Sequence, residues 1–460
     1  MTVFRWSDAA VRGALGLPRA AEDAAPGAPF CRVSTDSRTL EAGDLFLALE
    51  GTHFDGHEYV DQAVAAGAAG VVVQRPVDVP DSVAVYEVPD TLMALGQLAR
   101  FRRERLPARV VGITGSSGKT TTKEFLRAAL GETLRVHANR GNYNNRIGVP
   151  LTLLEAPVDA EVVVSEMGTS GPGEIRALVE IGRPDVAILT TVAESHLDGL
   201  GSIEGVLREK LDIFHGLPES GTAIVGDEPK LLTEAIPAAR PGARIVGTSD
   251  RADPECRPQD VQVDETGCFS FRWDGVVVTL PAPGRHMLQD ALLALVAART
   301  LGVESTSAAR GIAAMRPEGM RGEERRVGPA TVIMDCYNAN PQSTRAALDT
   351  LAIRAAHGPR VAVLGTMLEL GEESDTLHTR VLNYALSIGL DQVVATGDFA
   401  DAAPGREPSA LIRARDPEEG WAQVRDVLAD GGLVLLKGSR GVALERLVPL
   451  MERDLGEEAS

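Results

Sequence analysis

The clearest chemistry in the chain sits in one short run, Thr114-Gly115-Ser116-Ser117-Gly118-Lys119-Thr120-Thr121. It follows an apolar strand at 110–113 and opens a helix that runs from Lys119 to about Leu130. Glycine and serine are small enough to let backbone amides curl around phosphate oxygens, and a helix N-terminus adds the positive end of its dipole. Lys119 would bring a charge to the β- and γ-phosphates, and the Thr120 hydroxyl would ligate Mg²⁺. Ile113 stands where the full GxxxxGK[ST] pattern has its first glycine. The shorter GxxGKT in a strand–turn–helix setting still reads as a nucleotide site rather than a tight turn with an exposed lysine. A bound triphosphate needs a cation, and Mg²⁺ takes oxygen ligands. Glu166 follows the apolar strand 162–165, beside a sheet crevice, and is read as a ligand rather than a surface carboxylate. His196 follows the strand 186–189; a lone histidine is more often structural, and its setting alone does not make it a ligand. Lys210, in Glu209-Lys210-Leu211-Asp212, reads by itself as a lysine on a solvated helix face.

A frame of several domains must hold these residues. At about 150 residues per domain, 460 residues suggest roughly three. Apolar residues make up 44% of the chain, enough for several cores. Lys and Arg total 46 against 65 Asp and Glu, a formal charge of −19, which argues against nucleic-acid and anionic-membrane binding but leaves room for a local basic pocket. Cys31, Cys256, Cys268 and Cys336 lie far apart, so no disulfide framework or zinc site is expected. Residues 1–10 lack the pattern of a signal peptide, and no run of about 18 apolar residues predicts a membrane span. The expectation is a soluble cytoplasmic protein.

Residues 1–106 read as a small α/β unit, with strands at 44–49 and 70–73 and helices at 59–69 and 91–105; Pro107 punctuates its end. Residues 107–316 alternate strands and helices, as a parallel sheet does, and carry an antiparallel hairpin within 261–280 and a long apolar helix at 287–300. The pattern breaks at Pro317-Glu318-Gly319. Residues 317–460 hold short buried strands at 332–334, 361–364, 392–395 and 433–436, each followed by Gly or polar residues, as at a ligand crevice. The polar tail 452–460 is expected to fray.

Motifs along nearly the whole chain then resemble the Mur ligase family, in its D-alanyl-D-alanine-adding branch. They are Asp36-Ser37-Arg38, Gly43-Asp44-Leu45-Phe46 and Asp55-Gly56-His57; the phosphate loop; Gly141-Asn142-Tyr143-Asn144-Asn145; Glu166-Met167-Gly168; Glu194-Ser195-His196-Leu197; Asp335-Cys336-Tyr337-Asn338-Ala339-Asn340-Pro341; Leu368-Glu369-Leu370-Gly371; and Lys437-Gly438-Ser439-Arg440. The resemblance implies an α/β protein of three domains: a small N-terminal UDP-sugar-binding domain, a central P-loop-type parallel-sheet domain and a C-terminal Rossmann-like domain. It implies an ATP- and Mg²⁺-dependent amide ligase of peptidoglycan precursor synthesis. ATP phosphorylates the carboxylate of UDP-N-acetylmuramoyl-tripeptide, and the amine of D-alanyl-D-alanine displaces the phosphate. It further implies a monomer without nucleic-acid or membrane partners. Lys119, Glu166, His196 and Lys210 match the family's catalytic positions. Thr120, Glu166, His196 and Lys210, the last as a carbamate, match the metal-binding ones. Gly115, Ser116, Ser117, Gly118, Lys119, Thr120 and Thr121 match the ATP loop, with Arg321, Asp335 and Asn338 closing from the third domain. Ser37, Arg38, Asn142 and Asn145 match substrate-binding positions.

The chain departs from the family at four places. Met287 and Asp290 replace both asparagines of GxHNxxNA, Met334 replaces an acid, and Thr191 replaces an asparagine. An ionised Asp290 would only accept a hydrogen bond where asparagine both donates and accepts. Two other readings compete: a sister amide ligase with another substrate, such as a folate-polyglutamating enzyme, and an inactive nucleotide-binding scaffold. The Asp36-Ser37-Arg38 unit argues against the first, and the intact Lys119, Thr120, Glu166, His196 and Lys210 against the second.

Overall fold

The computed structural model describes residues 4–19, 28–52, 54–316, 319–403 and 408–456. Val- and Ile-rich runs, buried on both faces in the central strands, form three sheets that are parallel except for one edge strand, the composition that parallel strands covered by helices require. The first sheet pairs β1 (Val33–Ser34), β2 (Leu45–Leu47), β3 (Gly70–Val73) and β4 (Ala84–Glu87) in that order. The central sheet contains β5 (Arg109–Thr114), β6 (Val136–Ala138), β7 (Val162–Glu166), β8 (Val186–Leu189), β9 (Thr222–Gly226) and β10 (Arg244–Val246). Its spatial order is β10-β9-β8-β5-β7-β6, all parallel. The chain reverses direction across the sheet at β5, so the loop leaving β5 opens into the crevice where such sheets bind ligands.

Strands β11 (Gln259–Val263), β12 (Cys268–Trp273) and β13 (Val276–Pro283) form a small antiparallel sheet. The last sheet combines β14 (Glu323–Val327), β15 (Ala330–Asp335), β16 (Arg360–Leu364), β17 (Gln392–Ala395), β18 (Leu411–Arg413) and β19 (Gly432–Lys437). Its order is β14-β15-β19-β16-β17-β18, with β14 antiparallel at one edge.

Apolar packing joins the sheets. Trp6, Leu45, Leu95 and Leu98 share a core with Val110, Leu153 and Val163 of the central unit. Met167, Leu189, Val192 and Leu197 of the central unit share another with Ala339, Met367 and Leu370 of the last. The 119–131 helix inserts Phe125 and Leu126 against Leu288, Ala291 and Leu292 of the 285–300 helix, and so anchors the segment that starts with Lys119.

Several local expectations change. The strand expected at 44–49 pairs only over Leu45–Leu47, although Ala48 and Leu49 stay buried. The helix expected at 59–69 is Val60–Ala65 after a 3₁₀ turn at Gly56–Tyr59, because the chain turns at Gly67, whose φ is +99°. The expected hairpin carries a third strand, β11, whose residues are all exposed and so show no hydrophobic pattern. The break at 317–319 lies mostly outside the described residues, since Pro317 and Glu318 are not among them, and residues 457–460 of the tail also lie outside.

Phe125 is fully buried at the contact that seats the 119–131 helix. Phe125→Ala should therefore lower stability by about 3–5 kcal/mol, the usual cost of emptying an aromatic site in a core. The midpoint of urea denaturation of the central unit measures it; an unchanged midpoint would show that the helix is held by other contacts.

Candidate active site

The loop between β5 and the 119–131 helix can curl only because two of its residues are glycines. A Cβ on Gly115 would lie 1.8 Å from the Thr190 hydroxyl oxygen. Gly118 has φ +78°, and a Cβ there would meet the Asp290 carboxyl at 2.3 Å. The Ser116 amide donates to the Thr191 carbonyl at 2.9 Å, and the Ser116 hydroxyl donates to the Ala193 carbonyl at 3.0 Å. The loop is thus stitched to the end of β8. The Lys119 ammonium donates to the Gly115 carbonyl at 2.8 Å. Burial pulls it below the usual lysine range, Glu166 opposes this, and Arg321 adds to it.

Glu166, 2% exposed at the end of β7, is held on three sides. The Thr120 hydroxyl donates to its Oε2 at 2.8 Å, the Asn144 amide donates to its Oε1 at 2.8 Å, and its own N–H donates to Asn139 Oδ1 at 2.9 Å. A hydroxyl and a carboxylate in contact at the mouth of a phosphate loop are the oxygen donors Mg²⁺ favours, so these residues fit that ion. Among the described residues no cluster of three or more His, Cys, Asp or Glu side chains adds to them.

His196 has a left-handed backbone, φ +53°, which costs a non-glycine residue about 1 kcal/mol or more and is typical of functional sites. Its imidazole lies against the Glu369 carboxylate of the last unit, and the Leu197 N–H donates to the Glu369 carbonyl at 2.8 Å. The imidazole holds the Glu369 carboxyl below the usual carboxylate range. Arg380 bridges to Glu194 at 2.7 Å, an ion pair across the same cleft. Lys210 is not on a solvated face. It is 1% exposed, and burial, reinforced by Lys119, drives its ammonium well below the usual lysine range. The neighbouring Glu209 is also buried and accepts from the Gly173 and Ile175 amides at 2.6 and 2.8 Å.

The last unit meets the loop through one helix start. Asn340 caps the 341–353 helix in a reciprocal capping box with Ser343, and Pro341 pre-sets its first turn. The Asn340 amide donates to the Ser116 carbonyl at 3.2 Å, the Ser117 hydroxyl donates to Gln342 Oε1 at 3.1 Å, and the Gln342 amide donates to the Thr191 hydroxyl at 3.0 Å. Lys437, at the end of β19, pairs with Asp335 at 2.8 Å and donates to the Asn338 carbonyl at 2.9 Å. The Arg321 guanidinium stacks 4.1 Å from the centre of the Tyr337 ring.

A cavity of about 1260 Å³ lies between the central and last units. It is lined by Ser116 to Thr121, Asn142, Asn145, Glu166, His196, Arg321, Asp335 and Asn338, as well as Met287, Asp290 and Lys437. The structure thus brings together most of the residues singled out in the sequence. Lys210 lies behind this wall, beside Lys119. Ser37 and Arg38 stand apart on the first unit, where Ser37 donates to Gln62 at 3.0 Å and an exposed Arg38 clamps Asp36, whose pKa falls to about 2. Asn145 caps the chain at Ile147 and Gly148, whereas Asn144, which the sequence reading did not select, contacts Glu166. Asp290, an acceptor alone if ionised, is 5% exposed, and burial raises its pKa well above the usual carboxylate range.

Comparison with known proteins agrees with this geometry. Residues 30–103 match the profile described as the Mur ligase family catalytic domain, 113–298 the Mur ligase middle domain, and 320–440 the Mur ligase glutamate ligase domain. The chain belongs to the Mur ligase family. This Mur ligase is 38% identical to the UDP-N-acetylmuramoyl-tripeptide–D-alanyl-D-alanine ligase of Bacillus subtilis over 448 residues, 95% of each chain. It is 34% identical to the ligase of the same name from Escherichia coli, over 92% of this chain and 94% of the other. Among solved structures it superposes on MurF from Acinetobacter baumannii with a TM-score of 0.90 at 32% identity, covering 98% of this chain and 100% of that one. It superposes on the Thermotoga maritima MurF ligase in complex with ADP with a TM-score of 0.82 at 29% identity, covering 92% and 97%. The three-domain α/β architecture expected from the motifs is the one found. Among the described residues no helix is long and apolar enough to cross a membrane.

The residues that sequence reasoning missed are mostly neighbours of those it chose. Asn139, Asn144, Asn340, Gln342 and Glu369 sit within or beside the quoted motifs. Only their three-dimensional partners separate them from spacers.

The contact that lowers the Glu369 pKa is present above the ordinary carboxylate range and is lost as pH falls through the lowered value. Acidification below about pH 4 should therefore loosen the cleft, and Glu369→Gln should do so at neutral pH. Small-angle scattering would register a larger radius of gyration in both cases; equal radii for wild type and Glu369→Gln would show that this contact does not hold the cleft shut.

Proposed function

We propose that this chain is an ATP-dependent amide ligase that adds D-alanyl-D-alanine to UDP-N-acetylmuramoyl-tripeptide in peptidoglycan precursor synthesis. The observation that carries the reading is the single cavity that joins the phosphate loop and Glu166 to Asp335, Asn338 and Lys437 of the last unit. Similarity over nearly the whole chain to ligases of that name supports the substrate pair. In this reading residues 1–106 hold the UDP-sugar through Ser37 and Arg38, 107–316 bind ATP, and 317–460 close over it. Asn142 and Asn145 face the tripeptide. The enzyme works as a monomer in the cytoplasm.

The chemistry needs positioning and charge neutralisation rather than a strong protein nucleophile. The substrate carboxylate attacks the γ-phosphorus of ATP and ADP leaves, giving an acyl phosphate. The dipeptide amine then adds to the carbonyl carbon and gives up a proton, and inorganic phosphate departs as the amide forms. Backbone amides of 115–121 and the 119–131 helix start hold the phosphate chain, and Lys119 neutralises charge that grows on the transferred group. Arg321, Asp335 and Asn338 bear on the nucleotide from the last unit and complete a site that excludes water, which an acyl phosphate requires. Thr120 and Glu166, with His196 and a carbamylated Lys210, would hold Mg²⁺, which when bound supplies Lewis-acid charge to phosphate oxygens. A lysine buried beside Lys119 and Glu209 suits a carbamate, because CO₂ reacts with a neutral amine and the product is an anion facing a cation.

Lys119→Ala should cut kcat by about 10²-fold or more, the scale for losing a preorganised electrostatic group, while leaving the fold intact. Lys210→Ala should lose most activity and regain part of it with added short-chain carboxylates. A near-wild-type rate for the first variant, or no rescue of the second by any carboxylate, would remove these residues from their roles. The function itself is tested by phosphate release from ATP with UDP-N-acetylmuramoyl-tripeptide, with and without D-alanyl-D-alanine. Release that depends on both substrates is expected; release indifferent to the dipeptide would overturn the reading.

A further inference from the structure

Asp290 is out of place by every ordinary rule for a carboxylate. It projects from the second turn of the 285–300 helix, among Met287, Leu288 and Ala291 of an apolar cluster. Its Oδ1 accepts from the Thr122 hydroxyl at 3.2 Å. Its carboxyl fills the space a side chain at Gly118 would need, and it borders the cavity. An ionised carboxylate so buried needs a cation in contact, or several donors.

The charged groups around it do not supply one. On the 119–131 helix, Lys119 is turned to the Gly115 carbonyl, and Lys123 to the Asn139 carbonyl and Glu124. From the segment before β14, Arg321 is stacked on Tyr337, and its field lowers the Asp290 pKa only as a minor opposition to burial. On its own helix, Arg285 donates to Thr248, and burial keeps His286 below the usual histidine range. A carboxyl with one donor and no ion pair is cheapest as the acid, and the acid differs from the anion in what it can do. Like an amide, it presents one acceptor and one donor, whereas the anion presents acceptors alone.

We propose that Asp290 serves the nucleotide site as an un-ionised acid: Oδ1 takes the Thr122 hydroxyl, the other oxygen donates its O–H to an acceptor of the nucleotide beside Gly118, and loss of that proton weakens nucleotide binding. The inference rests on the nucleotide reading of the loop. It makes the affinity of this site depend on pH through a residue outside the loop, on the 285–300 helix. The anion would stand against the same loop that receives phosphate, so ionisation replaces a donor with a repelling charge. Asparagine, which cannot ionise, should substitute well; leucine, of similar size but without polar atoms, should not.

The test compares wild-type full-length protein with Asp290→Asn and Asp290→Leu. ADP binding is measured by calorimetry with magnesium present, and melting temperature is measured without nucleotide. At pH 7 the Asn variant should bind ADP as the wild type does, to within about threefold, and the Leu variant about tenfold or more weakly, the scale of one lost hydrogen bond in a buried site. As pH rises, wild-type affinity should fall relative to the Asn variant, approaching about tenfold per pH unit once the acid ionises. A folded-state pKa raised above the unfolded one gives stability that is lost as pH rises between the two values. The wild-type melting temperature should therefore fall relative to that of Asp290→Asn from pH 5 to pH 8. A melting difference that stays constant over this range would show that Asp290 holds no proton and overturn the proposal. So would a change of about tenfold in either direction on Asp290→Asn at pH 7. A shifting melting difference with ADP affinity unchanged in Asp290→Leu would make the acid merely structural, which also overturns it. Failure of every form, wild type included, to bind ADP would overturn the nucleotide reading itself, and the proposal with it.

Discussion

The contact on which the rest of the site depends is the one between the start of the 341–353 helix and the phosphate loop. Asn340 reaches the Ser116 carbonyl and Gln342 meets the Ser117 hydroxyl, so two domains with separate sheets share one loop. The loop has room for this because glycine stands where Thr190 approaches from below and where Asp290 approaches from the side. Each neighbour comes from a different element: β8, the 285–300 helix and the 341–353 helix. Shifting any one of them by an ångström would move the amides that must face phosphate, a displacement large enough to cost catalysis heavily.

Charge is arranged around the same loop with little to spare. The chain as a whole is strongly acidic, yet Lys119, Arg321 and Lys437 converge on the cavity, each steadied by a neighbour: Gly115, Tyr337 and Asp335. Lys210 sits beside Lys119 as a second buried amine, so each disfavours charge on the other and the pair favours an anion between or upon them. Glu166 counters part of this field; hydrogen bonds from Thr120 and Asn144 fix its two oxygens, and its backbone N–H is tied to Asn139. The arrangement suits a reaction in which negative charge passes through the cavity and leaves as phosphate.

Much of this was legible in the sequence, because the signals are local. A Gly/Ser turn between an apolar strand and a helix has few other meanings, and short Val-rich runs ending in polar residues mark parallel strands at a crevice. What escaped was set by contacts distant in the chain. β6 is three half-buried residues, and β11 is exposed throughout, so neither carries a hydrophobic pattern. Asn144 differs from Asn145 only in which way it turns, and that depends on Glu166. Lys210 reads as a surface lysine until the 174–182 helix and the loop before it cover Glu209 beside it. The protonation of Asp290 is a property of its burial, which no residue type reports.

The central claim is that the loop and the last domain form one site in which a substrate carboxylate is activated by phosphoryl transfer. Turnover of UDP-N-acetylmuramoyl-tripeptide labelled with ¹⁸O in its reacting carboxylate tests this most directly. An acyl phosphate retains a carboxylate oxygen on phosphorus when the amine displaces it, so the phosphate released during amide formation should carry one ¹⁸O. Unlabelled phosphate appearing in step with the amide product would mean that the carboxylate never attacked ATP, and would contradict the account.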